Sequence, residues 1–535
     1  MWKQQWAIAL AALACLGSAA QDGAEGARLP VPEKDPQQAF KDVPAPWRDY
    51  FLQAREAERL DDPLQHCLAS PDLPGNRWPE GHAAAHCRFH AVEAMALADF
   101  DGYLARGEAA ALDALLDRLL AKHFAEGGDG EDIHVAIGAF NDANADTDRV
   151  SARWLELAPG SAYANLARAN YYRDAAWNAR GGKWASETPR ESMRRMTDMV
   201  EQAVPLFREA IRIEPRLMPA YAGLLSVAML DSRPGLEREA VAGAAAQDPA
   251  CLEMARLRMQ ALTPRWGGSY EEMLSYAAEL SRHVARRPQL AIHIAAPYGD
   301  RGDRLGAEKE FTREAAEILD IAVRIGSNES HLRDAANVAL NLRDDEGGPD
   351  RWKGVALLLQ ERRFNGTNAW GHRQIAWQLL RYEPEWGLHH AVRAVEHDPG
   401  NAWGHYLAGV GYHATRQIEH AERHYLLAAD DEEQRRDALR ALATMWLYSD
   451  SPNDGEAMIR AKPHIDRLLE SFPEDGLGWA MRVHQQNLTE GHINLETVRR
   501  FLRHADRADP WQAAQASYLE AELTRQGVPP EPRRP

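Results

Sequence analysis

Three histidines spaced four residues apart could bind a metal ion. His82, His86 and His90 would lie on one face of a helix, because residues four apart are neighbours on a helix surface. Two such histidines can bind zinc, and the thiolate of Cys87 could complete a four-ligand site. Ala83 stands where helical zinc proteases carry the glutamate that acts as general base. A zinc site without a catalytic role is therefore one interpretation of the pattern, and the one we favour is a polar helix face tied by a disulfide bond.

A disulfide bond is the alternative use of Cys87. Cys67 and Cys87 flank a polar segment rich in proline and glycine, and in an oxidising compartment they could close it as a loop. The closure would contribute roughly 3 kcal/mol to stability. A cysteine in a disulfide is lost as a metal ligand, so the histidines would then form a polar, disulfide-tied helix face. Cys251 lies in an apolar helical run and is expected to be a buried free thiol.

Two Gly-rich loops place an aromatic side chain next to a cation. Trp184 follows Lys183 in a loop that begins at Arg180, and Trp266 follows Arg265 in the second loop. An aromatic plane with a cation beside it can hold a ligand. We favour the other interpretation, in which each loop packs against its own helix pair.

Helix-start signals follow both loops. Thr188 with Glu191, and Ser269 with Glu272, have the spacing of a capping box, in which the two side chains satisfy free amides of the first turn. Each loop is therefore expected to lead directly into a helix.

A repeated helix pair must position all of these groups. The tetratricopeptide unit has 34 residues, and its second helix carries alanine, a large apolar residue and alanine before a closing proline. That pattern precedes Pro215, as Ala203, Phe207 and Ala210. Pro249 falls 34 residues later, and Pro399, Pro473 and Pro510 close further pairs.

The unit that fits best starts after Pro399. Its first helix would carry Gly409 and Tyr412, and its second helix Ala421, Tyr425 and Ala428. Stacked units of this kind form a concave binding surface. Four residues of this unit are expected to line the groove: Trp403, His405, Tyr412 and His424.

This spacing resembles the tetratricopeptide superfamily, whose helix pairs stack into a superhelix with a concave binding face. The stretch from about Tyr163 to about Gly299, with its loops at Ala179–Gly181 and Pro264–Ser269, resembles a narrower group. It is similar to a bacterial family of secreted proteins, the domain-of-unknown-function family numbered forty thirty-four. The resemblance implies a location and a helical fold, and it adds no chemistry because that family has no assigned reaction.

The first 20 residues have the pattern of a secretory signal peptide. Lys3 precedes an apolar run that ends at Leu16, and small residues follow up to Ala20, where we expect cleavage. The sequence therefore predicts a periplasmic or secreted bacterial protein. The alternative is an outer-membrane lipoprotein anchored at Cys15. No later stretch has the roughly 20 apolar residues of a membrane-spanning helix.

Composition excludes one class of partner. The 535 residues include 62 Lys and Arg and 80 Asp and Glu, a formal net charge of −18. An acidic surface repels phosphate backbones, so no nucleic-acid partner is expected. The sequence also lacks a Gly-x-Ser-x-Gly elbow, a phosphate-binding loop and a Cys-x-x-Cys motif, which favours binding over catalysis.

Together these features predict an all-α, tetratricopeptide-like solenoid with an irregular helical N-terminal region. The function we expect is a scaffold that binds a protein or peptide. The alternative is a metal-binding or hydrolytic enzyme of the cell envelope that uses the histidine face. The predicted segments are a signal peptide (1–20), a flexible linker (21–45), the N-terminal helical region (46–145), a helical domain with the Gly-rich loops (146–300), helical repeats (301–430), C-terminal helix pairs (431–525) and a disordered tail (526–535).

Overall fold

The computed structural model describes residues 36–125, 131–309, 311–448, 454–490 and 494–528. All regular secondary structure in these residues is helical, which confirms the all-α prediction. The predicted signal peptide with Cys15, most of the linker and most of the tail lie outside the described residues. Within the described part, no helix combines the length and the apolar character needed to cross a membrane.

The described residues form 27 α-helices. In chain order they are α1 (Pro36–Ala39), α2 (Ala45–Ala57), α3 (Pro63–Ala69), α4 (His82–His90), α5 (Leu97–Ala105), α6 (Ala109–His123), α7 (Asp132–Ile137), α8 (Ala145–Leu157), α9 (Ala162–Arg180), α10 (Arg190–Ile213), α11 (Met218–Leu230), α12 (Pro234–Gln247), α13 (Leu252–Ala261), α14 (Tyr270–Leu280), α15 (Ala291–Lys309), α16 (Arg313–Ile325), α17 (Glu329–Asn341), α18 (Arg351–Asn365), α19 (Ala369–Leu379), α20 (Pro384–His397), α21 (Ala402–Ala414), α22 (Ile418–Ala429), α23 (Arg435–Leu447), α24 (Asp454–Ser471), α25 (Gly476–Glu490), α26 (Leu495–His504) and α27 (Pro510–Arg525).

The chain divides into two compact units. The N-terminal unit is Pro44–Gly366, and the C-terminal unit is Thr367–Pro535 together with Met1–Val43. The division falls inside the segment predicted as helical repeats over residues 301–430. Residues 36–43, which were predicted as linker, include Phe40, whose buried ring packs against Tyr382 and Trp386 of the C-terminal unit.

The N-terminal unit is built on antiparallel helix pairs. Helices α9 and α10 form the most extensive of these pairs, and the first Gly-rich loop connects them. Ala203, Phe207 and Ala210 of α10 are all fully buried. Their spacing places them on one helix face, because i, i+4 and i+7 recur along the same stripe.

Helices α2, α3 and α4 pack against α18, from the far end of the same unit. The Tyr50 hydroxyl donates a hydrogen bond to the Ala356 carbonyl at 3.1 Å, and the ring of Phe51 contacts that of Trp352. This contact fixes the irregular N-terminal region and gives α4 its position.

The C-terminal unit stacks four helix pairs: α19 with α20, α21 with α22, α23 with α24, and α25 with α26. Ala421, Tyr425 and Ala428 are buried, as the best repeat unit predicted. Successive first helices (α19, α21, α23 and α25) contact one another more extensively than successive second helices do. We call the side on which these first helices meet the first-helix face.

Candidate functional site

The disulfide between Cys67 and Cys87 ties α3 to α4. The two sulfur atoms are 2.01 Å apart and the Cα atoms 5.7 Å apart. Arg363 of α18 donates to the Cys67 carbonyl at 2.8 Å and to Asp72 at 2.6 Å, so the loop that the disulfide closes is also held from α18. Cys87 is therefore not a metal ligand in this structure.

A directional chain of hydrogen bonds starts at His82. Its Nδ1 lies 2.8 Å from the Pro288 carbonyl, which can only accept, so His82 donates from Nδ1. Burial lowers the pKa of His82 to about 4, so its Nε2 carries a lone pair and accepts from the Ser327 hydroxyl at 2.7 Å. Ser327 Oγ is then free to accept from His86 Nδ1, also at 2.7 Å. The chain fixes the tautomer of His86, with Nδ1 protonated and the lone pair on Nε2.

Three ligand atoms converge at the other end of this chain. His86 Nε2 lies 3.0 Å from His90 Nε2 and 3.2 Å from Glu329 Oε1, and His90 Nε2 lies 2.7 Å from Glu329 Oε1. These three residues could hold a metal ion. Glu329 is the first residue of α17, and Ser327 stands two residues before it.

Burial lowers the pKa of His86, and the hydrogen bond to Glu329 only partly opposes this effect. Burial alone would raise the pKa of Glu329. The neighbouring His86 and His90 outweigh it and hold that pKa below its ordinary value. The carboxylate is therefore charged and available to a cation at neutral pH.

The structure changes the composition of the predicted histidine group. His82 shares the helix face with His86 and His90 but bonds to Pro288 and Ser327 instead of joining them. Glu329 takes its place. Sequence reasoning missed Glu329 because it lies 239 residues from His90 and no local pattern marks it.

A second polar cluster is buried beside α13. Glu131 accepts from Arg287 at 2.7 Å, from the Glu253 amide at 2.9 Å and from the Leu252 amide, and thereby caps α13. His123 Nε2 lies 2.9 Å from Asp248. The Glu131 carboxylate is already bound by an arginine and two helix amides. We therefore interpret this cluster as a structural network and not as a ligand site.

Cys251 lies at the edge of the same cluster. It is a buried free thiol, as the sequence predicted, and its Sγ lies 3.7 Å from His134 Nε2. Burial, followed by the charge of Glu131, raises the pKa of this thiol well above its usual value. Cys251 is therefore not an activated nucleophile.

The two Gly-rich loops contact each other crosswise. The guanidinium of Arg180 lies 5.7 Å from the ring centroid of Trp266, and that of Arg265 lies 5.4 Å from the ring centroid of Trp184. Trp177 of α9 contacts Trp266 edge-on. The aromatic and cationic side chains predicted to hold a ligand thus bind the opposite loop, although Trp184 remains 57% exposed.

The helix-start signals after these loops differ. The Ser269 hydroxyl accepts from the Glu272 amide and so caps α14, as predicted. The Glu272 carboxylate accepts from the Ser269 hydroxyl instead of a backbone amide, so the second half of the predicted capping box does not form. The prediction for Thr188 is wrong. Its hydroxyl donates back to the Trp184 carbonyl at 2.9 Å, and α10 begins without a side-chain cap. Pro189 precedes the first helical residue, and its fixed φ favours a helix start without that cap.

The four groove residues predicted for the best repeat occupy two places. His405 Nε2 lies 3.0 Å from the Pro399 carbonyl, and its Nδ1 lies 3.0 Å from His424 Nδ1. Tyr412 contacts the rings of His424 and His420. These residues therefore join α21 to α22. A similar histidine pair joins α19 to α20, where His372 Nδ1 lies 2.9 Å from His390 Nδ1.

Trp403 lies apart from that group, on the first-helix face. Its ring centroid is 6.4 Å from that of Trp377, and both side chains are partly buried against the core. Trp377 belongs to α19 and Trp403 to α21, so the pair spans two successive repeats. The sequence predicted Trp403 as a groove residue, but it did not predict the contact with Trp377.

These helix pairs, with buried alanine and aromatic positions at the predicted spacing, define an all-α helical-repeat protein. Residues 96–253 match the family model described as Domain of unknown function (DUF4034). The match begins before the predicted stretch from Tyr163 to Gly299 and ends before the second Gly-rich loop.

Two solved structures align with parts of this chain. The structure of YrrB, described as a TPR protein with an unusual peptide-binding site, aligns with 38% of this chain and 98% of its own, at 16% identity and a TM-score of 0.31. The structure of yeast Tom70 aligns with 80% of this chain and 93% of its own, at 13% identity and a TM-score of 0.29. No curated protein matches the chain.

Proposed function

We propose that this protein is a helical-repeat scaffold that binds a protein or peptide on the first-helix face. The observation that carries the proposal is the contact between Trp377 and Trp403, which places two partly exposed indoles where successive first helices meet. Tryptophan is enriched among the residues that dominate binding energy, because it buries a large area in one contact. The first helices of successive repeats meet on this face, so an elongated partner could contact several repeats.

We further propose that the protein works outside the cytoplasm, in the periplasm or after secretion. The signal-peptide pattern of residues 1–20 supports this location, and so does the Cys67–Cys87 disulfide, since such bonds persist in oxidising compartments. Mass spectrometry of the N-terminus tests the proposal. A mature chain starting at Gln21 supports soluble export, a lipid-modified Cys15 supports the lipoprotein alternative, and a chain that keeps residues 1–20 contradicts both.

Site-specific crosslinking tests the binding face. A photoreactive amino acid in place of Trp403 should crosslink one partner in cells. The same residue in place of Trp511, which is 42% exposed on α27, serves as the matched control. The partner should then be purified and its affinity measured for Trp403→Ala and Trp511→Ala.

The two alanine variants should differ sharply. Trp403→Ala is expected to weaken binding at least about thirtyfold, the effect of removing a residue that dominates an interface. Trp511→Ala should bind like the original protein. Equal crosslinking at both positions, or equal affinity of both folded variants, would contradict the proposed face. Circular dichroism establishes that Trp403→Ala is folded.

A further inference from the structure

We propose that His86, His90 and Glu329 form a zinc site that ties α4 to α17. Two imidazole nitrogens and one carboxylate oxygen are the ligand types that zinc prefers, whereas magnesium and calcium prefer all-oxygen sites. The ligands come from two helices that are far apart in the sequence, so one ion would join them. This site is independent of the binding face proposed above.

The spacing of the three ligand atoms fits one small ion. Ligands about 2.0–2.1 Å from a tetrahedral zinc ion lie about 3.3 Å from one another. The separations here are 3.0 Å between the two histidine nitrogens, 3.2 Å from His86 to Glu329 and 2.7 Å from His90 to Glu329. Increases of about 0.1–0.6 Å would give the tetrahedral arrangement, and rotation of the two partly exposed side chains, His90 and Glu329, can supply them.

The residues behind His86 prepare its Nε2 atom for a metal. The chain from the Pro288 carbonyl through His82 and Ser327 keeps the proton of His86 on Nδ1. Ligating histidines are commonly held in this way, because a hydrogen bond at the second nitrogen sets the tautomer and the ring orientation. Phe364 stacks on the His86 ring at 4.3 Å with an interplanar angle of 19°, which fixes its plane.

The lone pair that results faces a negative charge. His86 Nε2 and the Glu329 carboxylate are both acceptors 3.2 Å apart, so a proton or a cation must lie between the three groups. In the metal-free protein, a proton on His90 Nε2 can serve both neighbours. Zinc would replace that proton and bind all three atoms at once.

The surroundings favour a structural ion over a hydrolytic one. In helical zinc proteases, the residue after the first histidine is a glutamate that acts as general base. The residue after His86 is Cys87, which is held in the disulfide, so this site lacks that base. His90 and Glu329 are 25% and 20% exposed, which gives zinc a route of entry and leaves water as the fourth ligand. Arg363, the nearby cation, is paired with Asp72.

Zinc binding can be measured on the mature protein purified without a histidine tag. After removal of metals with a chelator, the protein should bind one zinc ion per chain in a competition titration with a chromophoric chelator. At a free zinc concentration a hundredfold above Kd, the melting temperature should rise by roughly 5 °C. Cobalt should give the intense visible absorption of a four-coordinate site.

Four variants locate the site. His90→Gln and Glu329→Gln should each weaken zinc binding at least about tenfold and abolish the thermal shift. Ser327→Ala removes no ligand but should still weaken binding by about 10–100-fold, because it breaks the chain that orients His86. His420→Gln, on an exposed surface of α22, should bind zinc normally.

Two results would overturn the proposal. One is a folded protein that binds no zinc at micromolar concentrations. The other is stoichiometric binding that His90→Gln and Glu329→Gln leave unchanged, which would place the ion elsewhere, for example at His123, Glu131 and His134.

Discussion

Gly409 of α21 lies against the ring of Tyr425 of α22. A β-carbon on Gly409 would stand 2.5 Å from Tyr425 Cδ1, so no other residue fits without movement of the ring or the helix. Both residues belong to the repeat signature, and their contact explains why a small residue must face a large one at this spacing. It sets the distance between the two helices of the pair.

Replacing Gly409 should therefore destabilise the C-terminal unit despite the better helix propensity of alanine. Gly409→Ala is expected to cost about 1–3 kcal/mol through overpacking. Gly455→Ala is the matched control, because Gly455 is an exposed helical glycine with nothing within 4 Å of an added β-carbon. That variant should be about 0.5 kcal/mol more stable. Urea unfolding measures both, and an equal effect of the two substitutions would contradict the packing argument.

The repeat could be predicted because its contacts are local. Ala421, Tyr425 and Ala428 recur on one face of a single helix, and their partner Gly409 lies only one helix earlier. Spacing along the sequence therefore determines which of these residues meet, and the burial of all three follows from it.

The candidate metal site depends instead on a contact between distant parts of the chain. The histidine face of α4 follows from its four-residue spacing, but its partners Ser327 and Glu329 are brought to it by the packing of α4 against α18 and against residues 288–290. Nothing near Glu329 in the sequence marks it as a ligand. The contacts between the two Gly-rich loops could not be predicted for the same reason. The sequence of each loop shows a cation next to an aromatic residue, but it does not show that Arg265 contacts Trp184 of the other loop.

Arg287 should contribute far more to stability than its neighbour Arg286. Both contact Asp248, but Arg287 is buried and also binds Glu131, whereas the Arg286 side chain is 48% exposed. Arg287→Met would leave two buried carboxylates with less compensation and is expected to cost roughly 3 kcal/mol or more. Arg286→Gln should cost less than about 1 kcal/mol. Urea unfolding of the two variants compares them directly, and similar costs would rule out a special role for the buried network.

The crossed contacts between the Gly-rich loops should give a measurable coupling energy. A double-mutant cycle of Arg265→Gln and Trp184→Leu is expected to show about 0.5–1 kcal/mol, the usual value for an exposed cation–π pair. Arg212 provides the control, because it is exposed on α10 and bonds to Glu209. A cycle of Arg212→Gln with Trp184→Leu should show no coupling. If both cycles gave the same value, the contact between the loops would not be stabilising.

Acid should weaken the C-terminal unit through His424. Burial, followed by repulsion from His405, Arg423 and His420, lowers the pKa of His424 from 6.5 to about 4. Between these two values the unfolded chain binds more protons than the folded one, so the stability present above pH 6.5 is lost as the pH falls toward 4.

His424→Asn removes the titrating group and should flatten the dependence of the unfolding free energy on pH in this range. Arg423→Gln removes one repelling charge, which should raise the pKa of His424 and reduce the slope without abolishing it. Unfolding in urea at several values between pH 7 and pH 4.5 measures all three proteins, and equal slopes would show that His424 does not titrate in this range.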